Sequence, residues 1–111
     1  IDQEIISRGF QNIELMAVPE KYSLHNNYPN PFNPITTMLY DLPEAGYTRL
    51  IIYDLMGRQV QTLVDQPMAA GYYRQQWDGR NTKGQMVSGG IYFYQIQTNG
   101  FIRTRKMLLL K

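Results

Sequence analysis

From Ile35 to Leu109 apolar residues recur at every second position in short runs, and a turn-forming step interrupts each run before a helical period can develop. Met38, Tyr40 and Leu42 share one face of the first run, which ends at Pro43-Glu44-Ala45-Gly46. Tyr47 to Asp54 places Leu50 and Ile52 on one face with Ile51 and Tyr53 on the other, as in a central strand covered on both sides. Gly57 then offers the positive φ that a tight reversal needs. Arg58 to Val64 carries Val60 and, one position out of phase, Leu63, and Gln66-Pro67 is expected to stop it. Ala70 to Trp77 sets Tyr73, Gln75 and Trp77 against Tyr72, Arg74 and Gln76. Gln75 needs a hydrogen-bond partner if it is buried, because an unmet amide costs on the order of 1 to 3 kcal/mol.

After a loop over residues 79–90, Ile91 to Thr98 directs Tyr92, Tyr94 and Ile96 inward and Gln95 and Gln97 outward. Asn99-Gly100 is the strongest hairpin signal in the chain, a type I′ turn into the last strand. In that strand Ile102 and Thr104 have one parity and Met107 and Leu109 the other. Either a bulge near Arg105-Lys106 or burial of both faces reconciles them. With a short Tyr22-Ser23-Leu24 run, these segments predict an all-β fold, a seven-stranded antiparallel immunoglobulin-like sandwich.

Two segments frame the strands. Asn27 to Pro34 reads Asn-Tyr-Pro-Asn-Pro-Phe-Asn-Pro. Its prolines fix φ and restrict the residues before them, which predicts a stretch near polyproline II without ladder hydrogen bonds. Phe32 within it is expected to plug one end of the sandwich. At the other extreme, Lys106-Met107-Leu108-Leu109-Leu110-Lys111 is apolar where chain ends usually fray, which points to a terminus docked as a strand or read by a partner.

The 111 residues suffice for one two-layer core and not for a second domain. Residues 1–18, where Ile13, Leu15 and Ala17 alternate weakly with polar neighbours, read as a linker or the tail of a preceding domain, and residues 19–111 as the β domain. The start at Ile1, without Met or a leader, is that expected of a fragment or processed product. Nine tyrosines and four phenylalanines favour strands. With no cysteine, disulfides and thiolate chemistry are excluded, and stability must come from packing.

The net charge of +2 is far from the footprint of a nucleic-acid binder. Its distribution says more, because Asp78 is the last acidic residue and Arg80, Lys83, Arg103, Arg105, Lys106 and Lys111 follow unopposed. Arg103 and Arg105 are either solvated residues blunting an edge strand or a basic tail for an anionic partner.

Catalytic chemistry lacks its parts. The single histidine, His25, has no second imidazole to complete a metal site, and Asp54 and Asp78 precede glycine-bearing turns where Asp accepts backbone N–H bonds. Residues 78–84 superficially resemble a calcium loop, but Arg80 and Lys83 intrude and no distal acid follows, which favours an Asx-type turn. The aromatic residues Tyr72, Tyr73, Trp77, Tyr92, Phe93 and Tyr94 are read as core, with a sugar-stacking platform as the alternative. No catalytic residues, metal, cofactor or small-molecule substrate are expected.

The proline block, Leu42 to Gly46, Ile52-Tyr53-Asp54-Leu55-Met56-Gly57-Arg58, Trp77-Asp78-Gly79, Ser88 to Tyr94 and the closing Lys106 to Lys111, in this order, resemble the type A C-terminal sorting domain of the type IX secretion system. That domain is in turn similar to the immunoglobulin-like module of the flagellar hook-capping protein. The resemblance runs from about Pro19 to Lys111 and implies a non-enzymatic targeting module. Its partners would be the type IX machinery at the outer membrane and an upstream cargo domain in the same chain. Its route would run through the periplasm of a Gram-negative bacterium to the cell surface or the medium. The recognised element would be Lys106, Met107, Leu108, Leu109, Leu110 and Lys111. Gln75 departs from the apolar residue usual in that family. The alternative functions are a structural module joining domains or subunits and, behind it, a glycan-binding module.

Overall fold

The computed structural model describes residues 18–110. The expected strands are present: β1 (Ser23–Leu24), β2 (Thr36–Leu42), β3 (Gly46–Asp54), β4 (Gln59–Met68), β5 (Gly71–Trp77), β6 (Gly90–Thr98) and β7 (Phe101–Leu109). They form two antiparallel sheets, in the orders β1-β2-β5 and β4-β3-β6-β7. Apart from Val18, the segment read as a linker or tail lies outside the described residues.

The alternation read from the sequence becomes the core. Met38, Tyr40 and Leu42 from β2 meet Leu50 and Ile52 from β3 and Tyr92, Tyr94 and Ile96 from β6, all buried. Trp77 closes one end, with its ring 5.4 Å from that of Tyr92 and 5.8 Å from that of Phe32. Tyr40 stacks on Tyr73 at 5.4 Å in the β2–β5 register. Gln75 is half-buried and donates from Nε2 to the Gln76 carbonyl at 3.2 Å. Ile51 is also buried, on the opposite face of β3 from Leu50 and Ile52, as a central strand requires.

Two strands depart from expectation. β4 runs through Gln66-Pro67 to Met68 instead of stopping there. It is the outer strand of its sheet, where a missing N–H faces no neighbour and breaks no ladder. The phase slip at Leu63 is real: Leu50 pairs with Val64 and Ile51 with Thr62, which leaves Leu63 as the extra residue of a bulge.

In β7 neither proposed remedy for the parity conflict is used. The β6–β7 ladder is unbroken from Phe101 to Leu109. Odd-numbered residues face the core side, and Ile102, 61% exposed, sits on the solvent face. Arg105 therefore points inward, half-buried, and donates from Nε to the Leu24 carbonyl and from Nη1 to Asn26 Oδ1 at 3.0 Å. It is a cross-sheet fastener and not a solvated gatekeeper. Arg103 lies over the Phe101 ring, 5.5 Å from its centroid.

The proline block also differs from expectation, because it makes ladder bonds to both sheets. Tyr28 and Thr37 exchange backbone hydrogen bonds of 2.9 Å on the β2 side. On the β7 side the Phe32 N–H donates to the Leu108 carbonyl at 3.0 Å, and the Leu110 N–H donates to the Phe32 carbonyl at 2.8 Å. Asn30 Oδ1 accepts from the Leu108 N–H at 3.0 Å. Inside the strap Asn27 Nδ2 donates to Thr36 Oγ1 at 2.9 Å, and that hydroxyl donates to the Pro29 carbonyl at 2.8 Å. The block thus leaves one sheet and joins the other, closing the side of the sandwich where β1 and β7 face each other. Phe32 is buried and plugs the end, as its position in the sequence suggested.

Candidate functional site

The end of β7 is positioned by β6, with Tyr92 opposite Met107, Ile91 opposite Leu108 and Gly90 opposite Leu109. Strand alternation divides the six residues expected to carry recognition. Met107 and Leu109 are buried and contribute to the core. Lys106 is exposed, Leu108 is 37% exposed and Leu110 is 47% exposed. Lys111 lies outside the described residues. The backbone edge at Leu108 and Leu110 is taken by the strap, so an added strand finds that part of β7 already paired.

The outward residues do not stand alone. Ile91, opposite Leu108, is exposed, and Phe93, opposite Lys106, is half-buried on the same face. Tyr53 is paired with Phe93 from the other side. Tyr53, Leu55, Phe93 and Thr104 contribute to a shallow groove of about 260 Å3 beside this row. Leu55 and Met56 project into solvent from the β3–β4 turn at the same end of the sheet. These partners were not singled out from the sequence, although the inward parity of Tyr92 and Tyr94 already placed Ile91 and Phe93 on the outer face.

The β3–β4 turn is pinned by Asp54. Its Oδ1 accepts from the backbone N–H groups of Met56 and Arg58, both at 2.9 Å, and Oδ2 accepts from Arg58 Nε at 2.9 Å. The Arg58 backbone bond, assisted by the Arg58 side chain, holds this carboxyl below the usual range. The 78–84 loop is likewise an Asx structure, with Asp78 Oδ1 accepting from the Arg80 N–H at 3.2 Å and Asn81 Oδ1 from the N–H groups of Lys83 and Gln85. Trp77 Nε1 donates to the Arg80 carbonyl at 2.9 Å, tying that loop to the core. Among the described residues no three metal-ligating side chains converge.

His25, which lacks a second imidazole, does have a carboxylate partner: its Nε2 lies 2.9 Å from Asp41 Oδ2. These two line a shallow depression on the outer face of the three-stranded sheet with Leu39, Tyr72 and Arg74. Tyr72, 58% exposed, is the aromatic ring presented there. Trp77, Tyr92 and Tyr94 face the core, so the dense aromatic sequence is chiefly packing.

Comparison with solved structures places the fold among known sandwiches. Dimeric latent PorU from Porphyromonas gingivalis matches with a TM-score of 0.61 and 20% identity over 83% of this chain and 10% of that chain. PorZ, described as an essential bacterial surface component of the type IX secretion system of the same organism, matches at 0.55 and 16% over 83% of this chain and 12% of that chain. FlgD from P. aeruginosa matches at 0.54 and 24% over 68% of this chain and 59% of that chain. At such identities the likeness is one of fold, and the chain corresponds to only a small part of PorU and PorZ. A sequence comparison with curated proteins returns no match. The FlgD Ig-like domain family, however, matches residues 35–100, more than half of the 111 residues and all the strands from β2 to β6. On that span, and on the two antiparallel sheets it builds, the chain belongs to the FlgD Ig-like domain family.

Proposed function

We propose that residues 19–111 form a non-catalytic targeting module that directs a cargo domain of the same chain across the outer membrane by type IX secretion, to the cell surface or the medium. The observation that carries this reading is the run from Lys106 to Leu110. It is docked through Met107 and Leu109 yet presents Lys106, Leu108 and Leu110 outward, which suits a folded address better than a frayed tail. The likeness of fold to PorZ, a surface component of that system, supports the association. The partners are the export machinery and the cargo, with no nucleic acid and no small-molecule substrate.

A reporter fused ahead of residues 19–111 tests the proposal in a type IX-competent cell. The fusion is exported, and removal of Leu110 and Lys111 retains it in the periplasm while a thermal melt shows the module still folded. Leu109 is kept because it is core. Export of the folded, shortened module at the full level would sink the address.

A second reading, a scaffold joining domains or subunits, is favoured by membership of the FlgD Ig-like family. Under that reading the same shortened module leaves secretion unchanged and alters assembly of its parent protein.

A further inference from the structure

The backbone edge of β7 is poorly placed for reading, because Phe32 and Asn30 occupy it at Leu108 and Leu110, and Arg105 binds the β1 segment further along. The outer face of the same strand is open. There Leu108 pairs laterally with Ile91, Lys106 with Phe93, and Phe93 with Tyr53, so three strands supply one row of apolar side chains around a single cation. Grouped exposed apolar residues at one end of a sheet mark interaction surfaces more often than scattered ones do. Among the described residues no carboxylate pairs with Lys106: Asp41 pairs with His25, Asp54 with Arg58, Asp65 with Arg49 and Asp78 with Arg80.

We propose that the signal is this composite face, not the terminal residues alone, and that its occupant is an apolar surface on an outer-membrane receptor with a carboxylate placed opposite Lys106. The inference rests on the targeting function proposed above and names how that site is read. Apolar contact at Ile91, Phe93 and Leu108 supplies the affinity, and the lone cation fixes the orientation. Ile91 and Phe93 then belong to the signal although they precede the terminal run by more than a strand.

The experiment compares reporter fusions carrying residues 19–111 with Ile91→Asp, Lys106→Glu, or Leu39→Asp as a control on the outer face of the other sheet. Melts and elution volumes are measured on each purified module. Ile91→Asp and Lys106→Glu lower export by about tenfold or more, the scale of one interface hot spot, while folding stays intact. Leu39→Asp is exported normally. A photo-crosslinker at position 91, and not at position 39, captures an outer-membrane protein in exporting cells, and Lys106→Glu abolishes the adduct.

Normal export of folded Ile91→Asp, with removal of Leu110 and Lys111 still blocking it, would show that the terminal residues are read alone and would overturn this inference only. Conversion of a dimer to a monomer by Ile91→Asp would make a second copy the occupant and overturn it as well. Failure of the unaltered module to export would overturn the targeting function and this inference with it. If Ile91→Asp fails to fold, Ile91→Thr, which keeps a β-branched residue, replaces it with the same expected direction.

Discussion

The Phe32 N–H donates to the Leu108 carbonyl at 3.0 Å, joining the proline block to the last strand and shutting one side of the sandwich. Phe32 also packs its ring against Trp77, so backbone and side chain act at the same place. Phe32→Ala is expected to cost about 3 to 5 kcal/mol, the range for a buried aromatic ring. Hydrogen exchange gives the sharper test: in this variant the Leu110 N–H loses protection before the β3–β6 ladder does. Uniform loss across both would show that the strap and core open as one unit.

Trp77 touches Phe32 and Tyr92 and holds the Arg80 carbonyl through its indole N–H. Trp77→Ala is expected to cost about 3 to 5 kcal/mol and Trp77→Phe less, because part of the ring volume is kept although the hydrogen bond is lost. Denaturant unfolding checks the order. An unchanged midpoint for Trp77→Ala would remove Trp77 from the structural core.

Arg105→Met keeps an unbranched, apolar stem but removes the donors to Leu24 and Asn26. The carbonyl of the buried Leu24 then lacks its partner, and a loss of about 1 to 3 kcal/mol is expected. Arg105→Lys recovers only part of it, since an ammonium cannot reproduce the fork. Equal stabilities of all three proteins by urea titration would contradict the fastening role.

Burial pushes the Tyr40 and Tyr94 hydroxyls up to about 12, with Tyr73 adding to the rise at Tyr40. In the unfolded chain tyrosine titrates near about 10. The folded state therefore holds protons that the unfolded state has released. Their contribution is intact below about pH 10 and is lost as pH rises through about 12. Unfolding midpoints measured across that window fall, and Tyr94→Phe flattens the fall. A flat profile in the unaltered module would contradict the burial of both hydroxyls.

Gly100 has φ 81° and Asn99 φ 47°, the left-handed pair that closes the β6–β7 hairpin. Gly100→Ala is expected to cost about 1 kcal/mol, because a Cβ penalises this conformation. Asn99→Ala adds a further loss: Asn99 Nδ2 donates to the Ala45 carbonyl at 3.0 Å and to Tyr22 Oη at 3.1 Å. Thermal melts of the two single variants and the double variant separate turn strain from these contacts.

The inward rows of β2, β5 and β6 were legible because a strand with one buried face writes its period directly into the side chains. Phe32 as an end plug and Asn99-Gly100 as a hairpin were legible for similarly local reasons. The strap pairing was not, since the Phe32 bonds to Leu108 and Leu110 are made by backbone groups that every residue carries. Pro67 misled because strand position, edge or centre, is a tertiary fact. In β7 an exposed Ile102 and an inward Arg105 reversed the usual preferences, so polarity alone suggested a break where the ladder is continuous. At the candidate site the terminal run could be read as special, but its lateral partners Ile91 and Phe93 required the β6–β7 register.

The strap also sets an order of events. Asn30 and Phe32 are made early in this segment, but their partners Leu108 and Leu110 are made about a domain's length later, so one side of the barrier to unfolding cannot be raised until the last strand arrives. A chain interrupted anywhere before β7 leaves Phe32 without its ladder. Closure of this seam therefore requires that everything between its two halves has been synthesised, and the strap can cover the edge of β7 only then.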